Sequence, residues 1–535
     1  MSTYVLHNAK IYVEKGVYAE ACAIEGNKFA EVGTNADILA HYPDAELIDC
    51  EGRTVLPGIN DSHCHIFMVA QNMLYVQIMG SKSVDEVIQR GKDFLAAHPD
   101  SRGLRGMGWN VVDFVEGEQR DLTRYDLDKI STDIPISFNR ACGHMVVFNS
   151  KAIELAGIDK DTPQVEGGLI GKFEDGTPNG QFSDNAGRLL KGIVPEPTLE
   201  EVVNEFKNTM KYAASVGITS VQSNDPGTVY SGDVMYKVLH DYHDAGELIV
   251  RYHSQNSFDN IDQFKVYLEG ERNDPRYDDI FSAGPLKLFK DGSIGGRSAL
   301  LREEYCDDPG NFGLSVHSDE ELDAYCKVAD ENGLQVVCHC IGDGAVQSLI
   351  ERYEKIMHDG HNPHRNAIIH CQLTDMPMIE RIVKDEIIPM EQPIFLDSDM
   401  HALETRISPE LARTSNAYGS YLRLGQIQSF GTDSPVEDIN PFPCIYSAVT
   451  RCDKHGFPEG GYFPEEKISV EGAVDCYTCG SAYAQFMEDR KGRIKPGFLA
   501  DLTVLDKDIF TIDPMDIRNI KPVMTMMDGK ITFCK

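Results

Sequence analysis

The sequence predicts an α/β protein: a (β/α)₈ TIM-like barrel with a small β-sandwich domain formed by the N- and C-terminal segments. Three observations carry this prediction. From about residue 200 onward, helical and strand patterns alternate along the chain, which is typical of a parallel sheet whose strands are joined by helices. About eight such strands favour a closed barrel. Both ends of the chain show short strands instead. Because lone hairpins are too small to be stable, we expect the two ends to pack together in one small domain.

The two ends of the chain justify the small β domain. Predicted strands lie at 4–6, 10–13, 21–24, 29–33, 500–505, 523–527 and 531–533. The dipeptides Gly26-Asn27 and Asp528-Gly529 are turn signals within this pattern. We therefore expect residues 1–56 and 490–535 to form the two parts of one domain.

The region between the ends is predicted to be the barrel, at residues 57–489. Within it, residues from about 85 to 200 are mixed in pattern and include a glycine-rich stretch typical of turns between short strands. We expect this segment to be an excursion beside the barrel. A chain of 535 residues exceeds one typical domain, which agrees with a large core carrying an appended part.

The alternation that predicts the barrel can be followed element by element. Helices are predicted at 200–216, 233–245, 261–269, 319–332, 345–358 and 376–384. Strands are predicted at 218–222, 249–254, 286–289, 335–339, 367–370, 387–390 and 429–431. Each strand is separated from the next by a helix or a long connection, as parallel pairing requires.

The composition indicates a globular protein and excludes two classes of partner. Hydrophobic residues make up 41% and charged residues 25% of the chain. The formal net charge of −35 would repel nucleic acid and anionic membrane surfaces. No stretch approaches the ~20 apolar residues of a membrane span, and no signal peptide is visible at the start. We expect a cytoplasmic protein acting on a small molecule; its oligomeric state stays open, with a homodimer the commonest arrangement.

Two histidines at the end of a predicted strand are the clearest candidates for a functional site. An apolar segment and the turn Pro57-Gly58 lead to His63 and His65. Residues i and i+2 of a strand point to the same side, so the two imidazoles can reach one point. This is a metal-ligand geometry, although the pair alone is also compatible with a solvated strand end. The strand ends at a barrel mouth are where barrel enzymes carry their chemistry.

Further candidates lie at the ends of later predicted strands. Lys287, His339 and His370 lie in or at the end of three of them, and Asp433 follows a fourth. Taken singly, each residue is more often structural than functional. Together with the histidine pair they supply four imidazoles and a carboxylate at one barrel mouth, and zinc accepts this set of nitrogen and oxygen ligands.

These segments resemble motifs of the amidohydrolase superfamily, and more closely those of amidohydrolase family 3, which includes N-substituted formamide deformylases. The resemblance covers nearly the whole chain. The matching segments are 56–65, 287–293, 339–345, 370–372, 431–436 and 493–502. A further block that contains Pro135, His144, Asn149 and Ser150 also matches this branch.

The resemblance implies a barrel with a β-sandwich domain, and hydrolysis of an amide-like C–N bond of a small molecule through a metal-bound hydroxide. The implied metal ligands are His63, His65, Lys287, His339, His370 and Asp433. The implied ion is zinc. Two ions would bind if Lys287 is a carboxylated bridging lysine, because a carbamate can donate to a metal and an ammonium cannot. With Lys287 unmodified, the site would hold one ion.

The same resemblance implies catalytic roles for two of these residues. Asp433 would accept a proton and pass it to the leaving amine, while a metal or His339 would polarise the carbonyl group. His144, Trp109 and Arg297 are the candidates for substrate contacts. An anionic substrate group could pair with Arg297, but an ion pair with one of the 85 acidic residues is the commoner role for such an arginine.

Two other functions remain open from the sequence. Deamination of a heterocycle or cleavage of a cyclic amide would use the same ligand set, which cannot separate these reactions. A metal-free relative with a structural or regulatory role is the alternative from a different class. All six expected ligand positions are filled in this sequence, which argues against that alternative.

Overall fold

The computed structural model describes residues 3–140 and 145–535. These residues form two compact units, one made of residues up to 69 together with 207–535, and the other of residues 70–206. None of the helices in the described ranges has both the length and the apolar character needed to cross a membrane.

The chain forms strands along its whole length. In chain order they are β1 (Thr3–His7), β2 (Lys10–Glu14), β3 (Val17–Ala19), β4 (Ala21–Glu25), β5 (Lys28–Gly33), β6 (Glu46–Asp49), β7 (Thr54–Pro57), β8 (Ile59–Cys64), β9 (Val76–Gln77), β10 (Leu104–Trp109), β11 (Ile136–Arg140), β12 (Met145–Phe148), β13 (Gly168–Lys172), β14 (Pro178–Asp184), β15 (Ile218–Ser223), β16 (Arg251–Asn256), β17 (Phe281–Phe289), β18 (Val336–Cys340), β19 (Ala367–His370), β20 (Ile388–Glu391), β21 (Ser429–Phe430), β22 (Leu502–Leu505), β23 (Pro522–Met527) and β24 (Lys530–Cys534).

The α-helices lie mainly between the later strands. They are α1 (Asn35–His41), α2 (Ile66–Met73), α3 (Val84–Ala97), α4 (Arg124–Asp128), α5 (Ser150–Leu155), α6 (Leu199–Ser215), α7 (Gly232–Asp244), α8 (Ile261–Glu269), α9 (Asp319–Glu331), α10 (Asp343–Glu354), α11 (Met376–Lys384), α12 (Leu396–Asp399), α13 (Leu403–Arg406), α14 (Pro409–Arg413), α15 (Tyr418–Arg423), α16 (Pro441–Thr450), α17 (Val470–Asp475) and α18 (Ser481–Ala484).

An eight-stranded sheet forms the centre of the larger unit, with the order β21-β20-β19-β18-β17-β16-β15-β8. Neighbouring strands are parallel throughout. Side chains join its two edge strands, because the Asp61 carboxylate accepts hydrogen bonds from the backbone N–H and the hydroxyl of Thr432, the latter at 2.6 Å. The backbone N–H of Asp433 donates to the carbonyl of His63 at 2.8 Å. The sheet is therefore nearly closed, and the predicted α/β barrel is confirmed.

Helices of the barrel begin where the sequence offers capping side chains. Ser318 accepts a hydrogen bond from the backbone N–H of Glu321, whose side chain in turn accepts from the backbone N–H of Ser318, so α9 starts with a capping box. The Asp375 carboxylate caps α11 by accepting a hydrogen bond from the backbone N–H of Met378, and a proline lies in the first turn. These local signals fix where the connections between strands end.

The small β domain contains two sheets, β5-β4-β1-β6 and β24-β23-β22-β7-β2-β3. The second sheet combines both ends of the chain, because β22 pairs antiparallel with β7. One buried apolar cluster includes Leu6 and Ile24 from the first sheet with Ile11, Leu502 and Met526 from the second. The two sheets thus share one core, as expected for a β-sandwich.

The smaller unit, residues 70–206, has its own six-stranded sheet with the order β13-β14-β12-β11-β10-β9. Its core contains Trp109, Phe114, Phe138 and Val147, and apolar residues of α3 pack in the same cluster. The segment expected as an excursion, at about 85–200, falls within this unit.

Candidate metal centre

Three side chains meet where β8 ends and the chain leaves β21. Nε2 of His63 lies 3.3 Å from Oδ1 of Asp433, and Nε2 of His65 lies 3.2 Å from the same oxygen. All three residues are buried. Two ligands at ~2.0–2.1 Å from a tetrahedral zinc ion lie ~3.3 Å apart, so these spacings fit one ion.

The outer hydrogen bonds of the two histidines determine what their inner nitrogens can do. Nδ1 of His63 lies 2.7 Å from Oε1 of Gln255, and Nδ1 of His65 lies 2.7 Å from the carbonyl oxygen of Asn224. The amide of Gln255 is oriented by its own donation to the carbonyl of Ser62 at 3.0 Å. Each Nδ1–H therefore donates outward, so that the neutral form of each ring has its lone pair on Nε2. Two nitrogen lone pairs and a carboxylate oxygen then point at one another. They would repel without a cation between them, and a bound metal ion would turn this repulsion into attraction.

His339 and His370 add two more imidazoles beside this group. Their ring centroids are 4.4 Å apart, and the His370 ring is 5.9 Å from that of His63. Nδ1 of His370 bonds to Oε1 of Gln392 at 2.7 Å, and Nε2 of His339 bonds to the carbonyl oxygen of Gly292 at 3.0 Å. The nitrogens that remain for a metal are Nε2 of His370 and Nδ1 of His339.

Lys287 lies among these imidazoles on β17. It is buried, and within the described residues its Nζ atom has no hydrogen-bond partner, although it lies 4.6 Å from the centre of the Phe289 ring. Burial lowers the pKa of Lys287 to about 8, against the opposing charge of Asp433. A fraction of this amine is therefore uncharged at neutral pH.

The charges of the centre depend on its burial. Burial lowers the pKa of His63, His339 and His370, and the positive charge of Lys287 lowers each of them further. Burial alone would raise the pKa of Asp433, but the hydrogen bond from His65 and the nearby imidazoles outweigh it and hold that pKa below its usual range. Burial also lowers the pKa of His65, but the hydrogen bond to Asp433 and the charge of that carboxylate outweigh burial and raise it. At neutral pH the centre thus offers neutral imidazoles at His63, His339 and His370 and an ionised carboxylate, the forms that bind metals, and a metal at His65 would displace the proton that this ring shares with Asp433.

The backbone is strained at two of these positions. His370 and Asp433 have φ angles of 71° and 56°, in the left-handed region that non-glycine residues rarely adopt. Strain of this kind costs about 1–3 kcal/mol per residue and persists where surrounding contacts enforce it, often at functional sites. At His370 and Asp433 the unusual backbone conformation occurs where the chain leaves a barrel strand, at residues that belong to the candidate metal centre.

The structure places the predicted substrate contacts as follows. Trp109 is fully buried in the core of residues 70–206, where its indole N–H donates to the carbonyl of Phe138 at 3.3 Å. Arg297 forms a two-pronged ion pair with Asp307, at 2.7 and 3.1 Å. His144 lies outside the described residues. Their roles in substrate binding stay predictions.

Three functional positions were missed by sequence reasoning. Gln255, Asn224 and Gln392 orient the imidazoles through their Nδ1 atoms. Gln255 and Asn224 are fully buried and Gln392 nearly so. The available signal was polar residues at strand ends, since Gln255 lies within β16, Asn224 directly after β15 and Gln392 directly after β20.

A parallel barrel that gathers four imidazoles, a lysine and a carboxylate at its strand ends defines the class of metal-dependent hydrolases. Comparison with known proteins specifies the class further. The model of the amidohydrolase family matches residues 46–533. The chain belongs to this family, as its motifs predicted, and it is a metal-dependent hydrolase of carbon–nitrogen bonds other than peptide bonds.

Individual relatives are similar in sequence to this chain over nearly the full length of both proteins. The chain is 32% identical to the putative amidohydrolase YtcJ of Bacillus subtilis, over 99% of both chains. It is 30% identical to protein LONG AFTER FAR-RED 3 of Arabidopsis thaliana, over 96% of this chain and 88% of that one. It is 23% identical to the N-substituted formamide deformylase of Arthrobacter pascens, over 96% and 95% of the two chains.

A solved structure shows the same fold. The structure of a metal-dependent hydrolase from Pyrococcus furiosus superposes with a TM-score of 0.74 at 26% sequence identity, covering 96% of this chain and 100% of that one.

Proposed function

We propose that the protein is a zinc-dependent amidohydrolase that hydrolyses the amide-like C–N bond of a small molecule. The observation that carries this proposal is the convergence of two imidazole Nε2 atoms on one carboxylate oxygen, at 3.3 and 3.2 Å, with both Nδ1 atoms bonded outward. Nitrogen and oxygen donors at this spacing suit zinc.

His63, His65 and Asp433 would hold one zinc ion, and His339 with His370 would hold a second. The second ion requires a bridging ligand, and we assign this role to Lys287 as a carbamate. Formation of a carbamate joins an uncharged amine to carbon dioxide with loss of one proton, and the lowered pKa of Lys287, about 8, supplies that uncharged amine. The Nζ atom of Lys287 is buried without a hydrogen-bond partner among the described residues, which is costly. As a carbamate bridging two ions, this side chain would have partners.

The chemistry follows from these assignments. A zinc ion lowers the pKa of a water molecule that it binds to about 7, which makes hydroxide available at neutral pH. Asp433 is ionised, because its pKa is held low, and can accept a proton and return it to the departing nitrogen. His339 donates its Nε2–H to the carbonyl of Gly292. This bond favours a ligand role for His339 over direct polarisation of a substrate carbonyl.

The substrate class is a further part of the proposal. We infer an N-formyl or N-acyl amine, because a relative across nearly the full chain is named an N-substituted formamide deformylase. His144, Trp109 and Arg297 remain the candidate substrate contacts. The net charge of −35 supports an enzyme without nucleic acid or membrane partners, and we propose a cytoplasmic location. The oligomeric state stays open, with a homodimer the commonest arrangement.

The decisive experiment supplies the zinc-loaded protein with N-formyl amines, N-acyl amines, hydantoins and heterocyclic amines, and identifies the products. Release of formate or another carboxylate together with an amine supports the proposal. Release of ammonia from a heterocycle would assign deamination to the same site, and opening of a hydantoin would assign cyclic amide cleavage. A folded protein that binds no zinc would instead favour a structural or regulatory role.

A further inference from the structure

A second group of metal-binding side chains lies at the opposite end of the barrel from the centre described above. Asp330 is in the last turn of α9, and His358 and His364 are in the connection from α10 to β19. This connection enters β19 at its N-terminal end, whereas His370 lies at its C-terminal end. In barrel enzymes the C-terminal face carries catalysis and the N-terminal face carries stability.

The distances in this group suit one divalent ion. Nε2 of His364 lies 3.3 Å from Oδ1 of Asp330, and Nε2 of His358 lies 2.7 Å from the same oxygen. Two ligands of a tetrahedral zinc ion lie ~3.3 Å apart, so His364 already has the required spacing. His358 is closer because it forms a hydrogen bond with the carboxylate. Its exposed side chain has room to move outward by the remaining fraction of an ångström.

The turn that carries His358 is held in place by its backbone. The N–H of His358 donates to the carbonyl of His361, and the N–H of His361 donates to the carbonyl of His358, both at 3.0 Å. Asp359 and Gly360 between them have φ angles of 53° and 78°, as a two-residue hairpin turn requires. A site on such a turn loses little conformational entropy when it binds an ion.

The hydrogen bonding of the group leaves one nitrogen unsatisfied. The carboxylate of Asp330 accepts from His358, but Nε2 of His364 is buried and has no hydrogen-bond partner in the part of the chain that the structure describes. A buried nitrogen without a partner is costly. An ion placed between the two rings and the carboxylate would be bound by all three groups. The side chain of His358 is half-exposed, which leaves room for water as a further ligand.

We propose that Asp330, His358 and His364 form a separate binding site for zinc or a similar first-row divalent ion. Two imidazoles and a carboxylate are ligands that zinc, nickel and copper accept. The ion would tie the end of α9 to the segment that leads into β19. Its role would be to stabilise this face of the barrel, and it would take no part in the reaction.

The test measures zinc content and thermal stability of the full-length protein. Wild type, His358→Ala, His364→Ala and the control His361→Ala are dialysed against micromolar free zinc. His361 is on the same loop as the two histidines but lies outside the proposed site, because its Nδ1 atom lies 3.2 Å from Oε1 of Glu386. We expect His358→Ala and His364→Ala each to lose one equivalent of zinc, with unchanged turnover, while His361→Ala keeps the wild-type content.

A second readout separates this site from the barrel centre. In the His63→Ala/His65→Ala background, added zinc should still raise the melting temperature, because an ion that binds only the folded state stabilises it. Adding His358→Ala should abolish that rise. If His364→Ala fails to fold, Asp330→Asn tests the same site with little change in volume. Equal zinc content in wild type and in all three site variants, or binding only at millimolar zinc, would overturn the proposal.

Discussion

Gln255 should control metal affinity without touching the metal. It accepts a hydrogen bond from Nδ1 of His63 at 2.7 Å and donates one to the carbonyl of Ser62 at 3.0 Å. Gln255→Leu keeps a similar volume and removes both bonds, so His63 can rotate or take the other tautomer. Loss of such an orienting partner typically lowers metal affinity by about 10–100-fold. We expect this loss, with a matching fall in kcat/KM at limiting zinc.

The same change has a cost in stability that must be separated from the effect on the metal. It leaves two buried groups without partners, at about 1–3 kcal/mol each, so we expect the metal-free protein to lose about 2–6 kcal/mol. Gln222→Leu is the matched control. Gln222 is buried on the neighbouring strand β15 and donates to the carbonyl of Ser481 at 2.9 Å. That variant should be destabilised without a change in zinc affinity.

The assay is competition for zinc against a chelator of known affinity, with unfolding in denaturant as the parallel measurement. Gln255→Glu adds a second control, because a carboxylate still accepts from the His63 ring and should keep the zinc affinity near that of wild type. Wild-type zinc affinity in Gln255→Leu would show that Gln255 does not control how His63 binds the metal. Equal losses of affinity in Gln255→Leu and Gln222→Leu would show that the effect arises from stability alone.

Three further predictions concern other parts of the molecule. Removal of residues 490–535 should expose the apolar inner face of the N-terminal strands, so the truncated protein should aggregate in size-exclusion chromatography; a monodisperse product of unchanged thermal stability would be evidence against a shared domain. Asp433→Asn cannot accept a proton at neutral pH, so kcat should fall by about 10²–10⁴-fold even where zinc stays bound; near-wild-type kcat would exclude the proton-transfer role. The pKa of Lys287 is about 8, so the fraction of uncharged amine increases as pH rises through that value. In bicarbonate buffer the wild-type protein should therefore form more carbamate at higher pH and bind a second equivalent of zinc. Lys287→Glu should bind it without that dependence.

The barrel could be predicted from sequence where strands are apolar and helices have clear caps. The strand at 367–370 and the helix at 376–384 were predicted at the bounds that β19 and α11 have, because Asp375 and a proline mark the helix start. The strand predicted at 249–254 lies at Arg251–Asn256 in the structure. Its last two residues were missed because Gln255 and Asn256 have the composition of a loop, although both are fully buried.

The same cause explains which parts of the site could be predicted. His63 and His65 carry a period-two signal on one strand, and the other ligand residues lie at strand ends within recognisable motifs. Gln255 and Gln392 carry no comparable signal, because an amide that orients a ring looks like any polar residue until the ring is in place. The sequence could not place Trp109, a candidate substrate contact whose side chain is buried in the core of residues 70–206.

We propose that His63, His65 and Asp433 hold the ion on which hydrolysis depends. The most direct measurement titrates zinc into chelator-treated protein and follows bound zinc together with turnover of an N-formyl amine, for wild type, His63→Ala and His65→Ala. We predict that wild-type turnover rises with the first one or two equivalents bound at the barrel centre, and that each variant loses both that zinc and turnover. Wild-type zinc content in both variants, or full turnover by the zinc-free protein, would contradict it.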